Sequence, residues 1–256
     1  MALGRTWKVV AIVAAAIALV LVLAIGVFVW WALTPLGPDE EALAALESDE
    51  IVTVAETDSA WVFTPTDDEP HVGFVFYPGG RVDPRSYAPL ARELAEKGYL
   101  VAITPMPLNL AVLDSGKAQA VIDANPQVIT WTIGGHSLGG SMAASFANAN
   151  RATIDGIALL ASYPAGDDDM SDAEFASVSI YGSRDGVLDE EKFSESIPQM
   201  PTGARFVAIE GGNHAQFGNY GPQPGDLDAA ILAEDQRWEA VQAIGEMLMP
   251  LRRRTP

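Results

Sequence analysis

Three short runs carry the residue types that acyl chemistry needs. GGHSLGG (134–140) holds Ser137 among glycines, GSRDGV (182–187) offers Asp185, and GGNHAQFG (211–218) offers His214. A serine hydroxyl is a poor nucleophile until a base takes its proton. The base in turn needs an acid that fixes its tautomer and stabilises the imidazolium. Asp185 follows Ser137 by 48 positions and His214 follows Asp185 by 29, giving the chain order Ser, Asp, His. Gly135-His136-Ser137-Leu138-Gly139 is a G-x-S-x-G, a pattern with meaning only where a strand enters and a helix leaves. There the serine sits on a tight turn with its Oγ above the sheet, and the helix N-terminus faces a developing oxyanion. The hole for that oxyanion needs two backbone N–H donors. Leu138, next to the nucleophile, is expected to supply one. Gly80, in PGGRV (78–82), is expected to supply the other, with Arg81 as its neighbouring alternative.

The remaining candidates read more plainly. His136 is expected to point away from the serine and support the turn as a polar residue. His71 begins a strand and reads as a strand-end residue. Asp167, Asp168 and Asp169 are rival acids but resemble a solvated loop run.

The elements around these residues alternate. IVTVAE (51–56) and WVFTP (61–65) predict a hairpin, and HVGFVFYP (71–78) a strand buried on both faces. Further strands are expected at 99–105, 127–137, 154–164, 176–186 and 204–218. Helices are expected at 86–98, 110–124, 138–150, 189–197 and 228–248, the last with Ile231, Trp238, Val241, Ile244 and Leu248 on one face. Such alternation predicts an α/β domain with a mostly parallel sheet and helices on both faces. Sites in these sheets form beyond the carboxyl ends of the strands, where all three runs fall.

Ahead of this domain, residues 9–33 contain no charged side chain. Twenty-five helical residues cross a hydrocarbon core of about 30 Å with some tilt. Trp30 and Trp31 sit where an interfacial aromatic belt belongs, and Arg5 and Lys8 precede the run. The basic flank predicts a cytoplasmic N-terminus, a retained anchor and an extracytoplasmic domain. The alternatives are a cleaved signal peptide and a buried core helix, but the run exceeds an ordinary signal core, no clear Ala-x-Ala site precedes Pro35, and the run holds no charged residue. The organisation expected is 1–33 as stub and anchor, 34–50 as an acidic linker, and 51–256 as the domain.

Composition narrows the chemistry. The 256 residues carry a formal charge of −19 and no cysteine, which excludes disulfides, cysteine nucleophiles and Cys-based metal sites. All 34 acidic residues follow the apolar run, with 13 of the 15 basic ones, a net −21. That surface does not suit nucleic acid and repels anionic substrates in general. Arg81, Arg85 and Arg184, near the proposed loops, are expected to temper it locally. No cofactor or metal is implied.

From about residue 51 to 250 the sequence resembles the α/β-hydrolase superfamily, close to its small cap-less, dienelactone-hydrolase-like and carboxylesterase-like members. The resemblance rests on PGG, GGHSLGG, GSRDGV and GGNHAQFG, each after a predicted strand. It implies a serine nucleophile, an acyl-enzyme and hydrolysis of an ester or similar bond. Two departures stand out. Pro78-Gly79 replaces the usual His-Gly, and the dozen residues before strand 176–181 leave little room for an inserted lid. A lid-less site predicts a preference for short acyl chains. Arg81, Asn109, Leu110, Tyr163, Phe217 and Tyr220 are expected to line the pocket. The expected substrate is a small-molecule or lipid-like acyl ester. Competing readings are an acyltransferase using the same triad and a non-catalytic binding module on the same fold. Oligomeric state is not legible.

Overall fold

The structure, a computed structural model, describes residues 4–67 and 69–254; the first three residues of the expected stub and the last two of the expected domain lie outside them. Helix α1 (Arg5–Ala32) is one continuous apolar helix. Its 28 residues rise about 42 Å, and the span Trp7–Ala32 is long and apolar enough to cross a membrane; its most apolar stretch is exposed, and Ala32 at its end is buried.

Two strands, β1 (Val52–Glu56) and β2 (Trp61–Pro65), form the expected hairpin. Six more follow: β3 (Val72–Tyr77), β4 (Leu100–Ile103), β5 (Thr130–His136), β6 (Ile154–Leu160), β7 (Ala176–Gly182) and β8 (Arg205–Ile209). Their order in the eight-stranded sheet is β1-β2-β4-β3-β5-β6-β7-β8. The hairpin joins β4 antiparallel and every later pairing is parallel. Period-two burial divides the core. Phe74 and Phe76 of β3 face one layer, with α3 (Ala88–Glu96) and α7 (Ala233–Leu248). Val75 and Tyr77 face the other, with α4 (Ala118–Ala124) and α5 (Leu138–Ala149). Helix α6 (Glu190–Ser196) lies at the β8 edge, where Phe193 packs between Tyr181 and Phe206.

Two expected helices differ. In place of one helix over 110–124, two 3-10 turns (Pro107–Asn109 and Ala111–Leu113) precede a short α4. Leu110 (φ −130°, ψ 107°) and Asp114 (φ −157°, ψ 72°) take dihedrals that no right-handed helix accommodates. At the C-terminus, α7 begins at Ala233 rather than 228. Val241, Ile244 and Leu248 are buried, but Trp238 is 59% exposed. The inward stripe instead includes Gln236, whose amide bonds both backbone groups of Asn213.

Residues 34–50 include a short helix, α2 (Glu40–Ala44), capped by Asp39 and buried at Ala42. This acidic stretch has little slack. Leu36 N–H donates to Arg81 O (2.7 Å) and Leu36 O accepts from Asp83 N–H (2.9 Å), a one-residue parallel bridge. Asp39 N–H donates to Asn219 O (2.9 Å), and Arg237 pairs with Glu41 (2.7 Å). Arg92 donates to the carbonyls of Ala45 and Glu47 and to Asp49.

Candidate active site

Strand β5 delivers Ser137 and helix α5 carries the chain away. Ser137 itself takes φ 53° and ψ −125°, a conformation few non-glycine residues occupy, and such strain concentrates at functional sites. The turn closes this tightly because Gly139 lies against the end of β3. A Cβ there would overlap the carbonyl oxygens of Tyr77 and Pro78. Helix and strand therefore meet backbone to backbone, and the loop leaving β3 comes up beside the elbow. Ser162, after β6, donates to Ser137 O (2.7 Å) and holds the turn from the other side.

That loop supplies the second half of the site. Its three successive N–H groups have different fates. Gly79 donates to the Tyr87 hydroxyl (3.0 Å) and Arg81 to Asn109 O (2.8 Å). Gly80 N–H has no acceptor among the described residues. It lies beside Leu138, with a Cβ at Gly80 falling 3.1 Å from Leu138 Cδ2. Leu138 N–H is the first of α5 and belongs to the set a helix cannot satisfy internally. Between Gly80 and Arg81, the alternatives left open by the sequence, the unoccupied donor is Gly80.

The candidate base and acid, His214 and Asp185, come from the loops after β8 and β7. His214 Nδ1 lies 2.8 Å from Asp185 Oδ2 and 3.1 Å from Oδ1, with both side chains almost fully buried. Asp185 Oδ1 also accepts the N–H groups of Val187 (2.9 Å) and Leu188 (2.8 Å), which fixes the carboxylate. Taking the Nδ1 proton to the carboxylate leaves Nε2 as the basic nitrogen, and Nε2 has no partner among the described residues. His214 and Ser137 line one cavity of about 260 Å³, together with Leu138, Tyr163, Val187 and Leu188.

Other expected residues fall elsewhere. Phe217 and Tyr220 are buried in the core, with rings 5.8 and 6.4 Å from His136. They pack behind the histidines because the 3-10 turn Ala215–Phe217 folds back onto α7. Leu110 lies beside Gly80 rather than in the cavity. Arg81 and Asn109 turn to α1: Arg81 donates to Trp31 O and Thr34 O, and Asn109 to Ala32 O. The terminal carbonyls of α1 lack intrahelical partners, which draws these donors to them. Of the expected pocket residues only Tyr163 lines the cavity. Arg85 pairs with Asp83 and Arg184 with Asp228 O, so the cation at the cavity is Lys192, itself paired with Asp189 (3.1 Å). Asp168 is held by Ser145 and Asn148, away from His214. His71 is an exposed strand-end residue whose carbonyl accepts from Thr130.

His136 is more tightly placed than a generic turn residue. With Gly79 N–H donating to Tyr87 Oη, the Tyr87 hydroxyl is free to donate to His136 Nδ1 (2.8 Å). Its ring packs 4.5 Å from that of His214. Burial, followed by the His214 charge, pushes the His136 pKa well below the usual histidine value. Two bracing groups were not legible. Tyr87 reads as one of a helical apolar set, yet it joins the β3 loop to the elbow. Asp226 stands in no motif of the sequence, yet it accepts from Gly186, His214 and Ala215 N–H groups and ties the loop of Asp185 to that of His214.

The sheet order, the strained serine elbow and a buried His–Asp pair beyond the strand ends together define an α/β hydrolase. Residues 73–238 match the sequence profile of the alpha/beta hydrolase family, so the chain belongs to it. Among solved structures it is similar to Est1E from Butyrivibrio proteoclasticus (13% identity, TM-score 0.57, covering 77% of this chain and 99% of that one). It is also similar to a predicted CIB-like hydrolase from Thermoplasma acidophilum (17% identity, TM-score 0.53, covering 76% of this chain and 97% of that one). These likenesses concern the fold. No curated protein matches the sequence.

Proposed function

We propose that the protein is a membrane-tethered, extracytoplasmic serine hydrolase that cleaves carboxylic esters of short acyl chains. The observation that carries the reading is the buried His214–Asp185 pair, 2.8 Å apart, with His214 sharing a cavity with the strained Ser137. Ser137 Oγ attacks the ester carbonyl while His214 Nε2 takes its proton. Asp185 holds the imidazolium that forms. The carbonyl oxygen becomes an oxyanion between the N–H groups of Gly80 and Leu138. As the intermediate collapses, His214 returns the proton to the departing alcohol and leaves an acyl-Ser137 ester. Water, deprotonated by His214, attacks that ester and releases the acid and free Ser137. A cavity of about 260 Å³ supports small acyl groups, because methylenes beyond its wall stay in water and add no transition-state binding.

The test is turnover of p-nitrophenyl esters from acetate to palmitate by the full chain in detergent, with product analysis. Hydrolysis peaking at about C2 to C6 is expected. Ser137→Ala is expected to lose about 10³-fold or more in kcat while remaining folded, and to escape labelling by a fluorophosphonate. Near-full activity of that variant sinks the mechanism, and a palmitate optimum sinks the short-chain preference.

A further inference from the structure

We infer that the membrane-side segment Trp31–Leu36 is a working part of the catalytic centre. It grips Arg81 and so sets the loop that presents the Gly80 donor. This inference rests on the serine-hydrolase reading and on the oxyanion role of Gly80.

Arg81 is held at its backbone N–H and C=O and at two of its three guanidinium nitrogens. Its N–H goes to Asn109 O (2.8 Å) and its C=O accepts from Leu36 N–H (2.7 Å). Its guanidinium donates through Nε to Trp31 O (2.8 Å) and through Nη2 to Thr34 O (2.7 Å). The same guanidinium lies 4.3 Å from the centre of the Trp31 ring, a cation–π distance. Asn109 adds a bond from Nδ2 to Ala32 O (2.9 Å). Both Arg81 and Asn109 have positive φ (58° and 54°). A non-glycine residue stays in that region only where its surroundings over-determine it. Here the surroundings are the end of α1, whose final carbonyls and negative dipole end suit a planar cation. Gly80 is joined to Arg81 by one peptide bond, and the residue lies against the Leu138 side chain. Releasing Arg81 frees the backbone that aims that N–H. An oxyanion donor out of place by about an ångström costs roughly 10- to 100-fold in turnover.

The experiment compares wild type with Arg81→Ala, Arg81→Lys and Trp31→Ala, as full chains in detergent micelles with p-nitrophenyl acetate as substrate. Trp30→Ala is the control, because its ring is 68% exposed and no ring or hydrogen-bond contact ties it to Arg81. Expected for Arg81→Ala and Trp31→Ala is a fall in kcat of about tenfold or more with KM changed less than about twofold. Inhibition by a trifluoromethyl ketone, which forms an oxyanion in the hole, weakens in parallel. Arg81→Lys falls between, since an ammonium cannot fork to two carbonyls, and Trp30→Ala matches wild type. A structural role alone lowers the melting temperature and leaves kcat and ketone affinity of the folded fraction unchanged. That result overturns the inference, and Trp31→Ala and Arg81→Lys deliver it even if Arg81→Ala does not fold. A wild-type chain with no ester turnover and no fluorophosphonate labelling refutes the serine-hydrolase reading instead.

Discussion

At the scale of single residues, the proposed mechanism separates groups that react from groups that hold. Asp185 and Asp168 illustrate the difference. Both are aspartates in loops after neighbouring strands, but one is 2.8 Å from His214 and the other is bonded to α5. Asp185→Asn is therefore expected to lower kcat by about 10²-fold or more, while Asp168→Asn changes it little. Steady-state kinetics of the two purified variants check the ranking, and the reverse order moves the acid to the 167–169 run. His136 predicts a pH effect on stability. Its folded pKa is depressed below the ordinary value of about 6.5, so beneath that pH the unfolded chain binds a proton the folded chain refuses. Stability is therefore full above about pH 6.5 and falls as pH drops, by at most about 1.4 kcal/mol per pH unit for one group. Urea midpoints at pH 7.5, 6.5 and 5.5 should show this slope in wild type and a flatter one in His136→Asn. Equal slopes would assign the effect to other groups.

At the scale of elements, contact between backbones builds the site. Gly139→Ala is expected to be costly, by about 1–3 kcal/mol or more, because its Cβ meets two carbonyl oxygens of the β3 end, not a yielding side chain. Gly37→Ala, with nothing within 4 Å, should be neutral. Thermal melts of both variants test the contrast, and a native-like Gly139→Ala would mean that helix and strand can separate. The same contrast explains what was legible in the sequence. Strands β3 to β7 announce themselves as apolar runs ending in glycine or turn residues; the candidate serine and acid stand in named runs at the ends of β5 and β7, and the candidate base in a run after β8. The pocket was not legible, because its lining depends on long-range folding-back. Phe217 and Tyr220 look like pocket aromatics by position and become core only once their turn folds onto α7. Arg81 and Asn109 follow the same logic. Their partners are backbone carbonyls of Trp31, Ala32 and Thr34, which no residue pattern advertises. The segment 110–124 carries a helical apolar rhythm, yet the non-helical dihedrals of Leu110 and Asp114 confine the α-helix to its second half.

At the scale of the whole molecule, the proposed topology is open to a simple test, since the chain has no cysteine to remove. Ser194→Cys puts one thiol on the exposed face of α6. A membrane-impermeant maleimide added to intact cells is expected to label it. Labelling only after lysis would place the domain inside. On the membrane-bound reading, the docking of residues 34–50 has a consequence for reach. A slack coil of that length would let the domain wander about 20–25 Å from its anchor point. Bonded through Leu36 and Asp39 to Arg81, Asp83 and Asn219 at one end, and through Ala45, Glu47 and Asp49 to Arg92 at the other, the segment has no such slack. Ser137 then stands at a fixed height and tilt over the lipid headgroups and sweeps only as the helix itself diffuses and spins. Encounters become a two-dimensional search at one altitude, open to molecules that pass through that thin layer and closed to anything held higher.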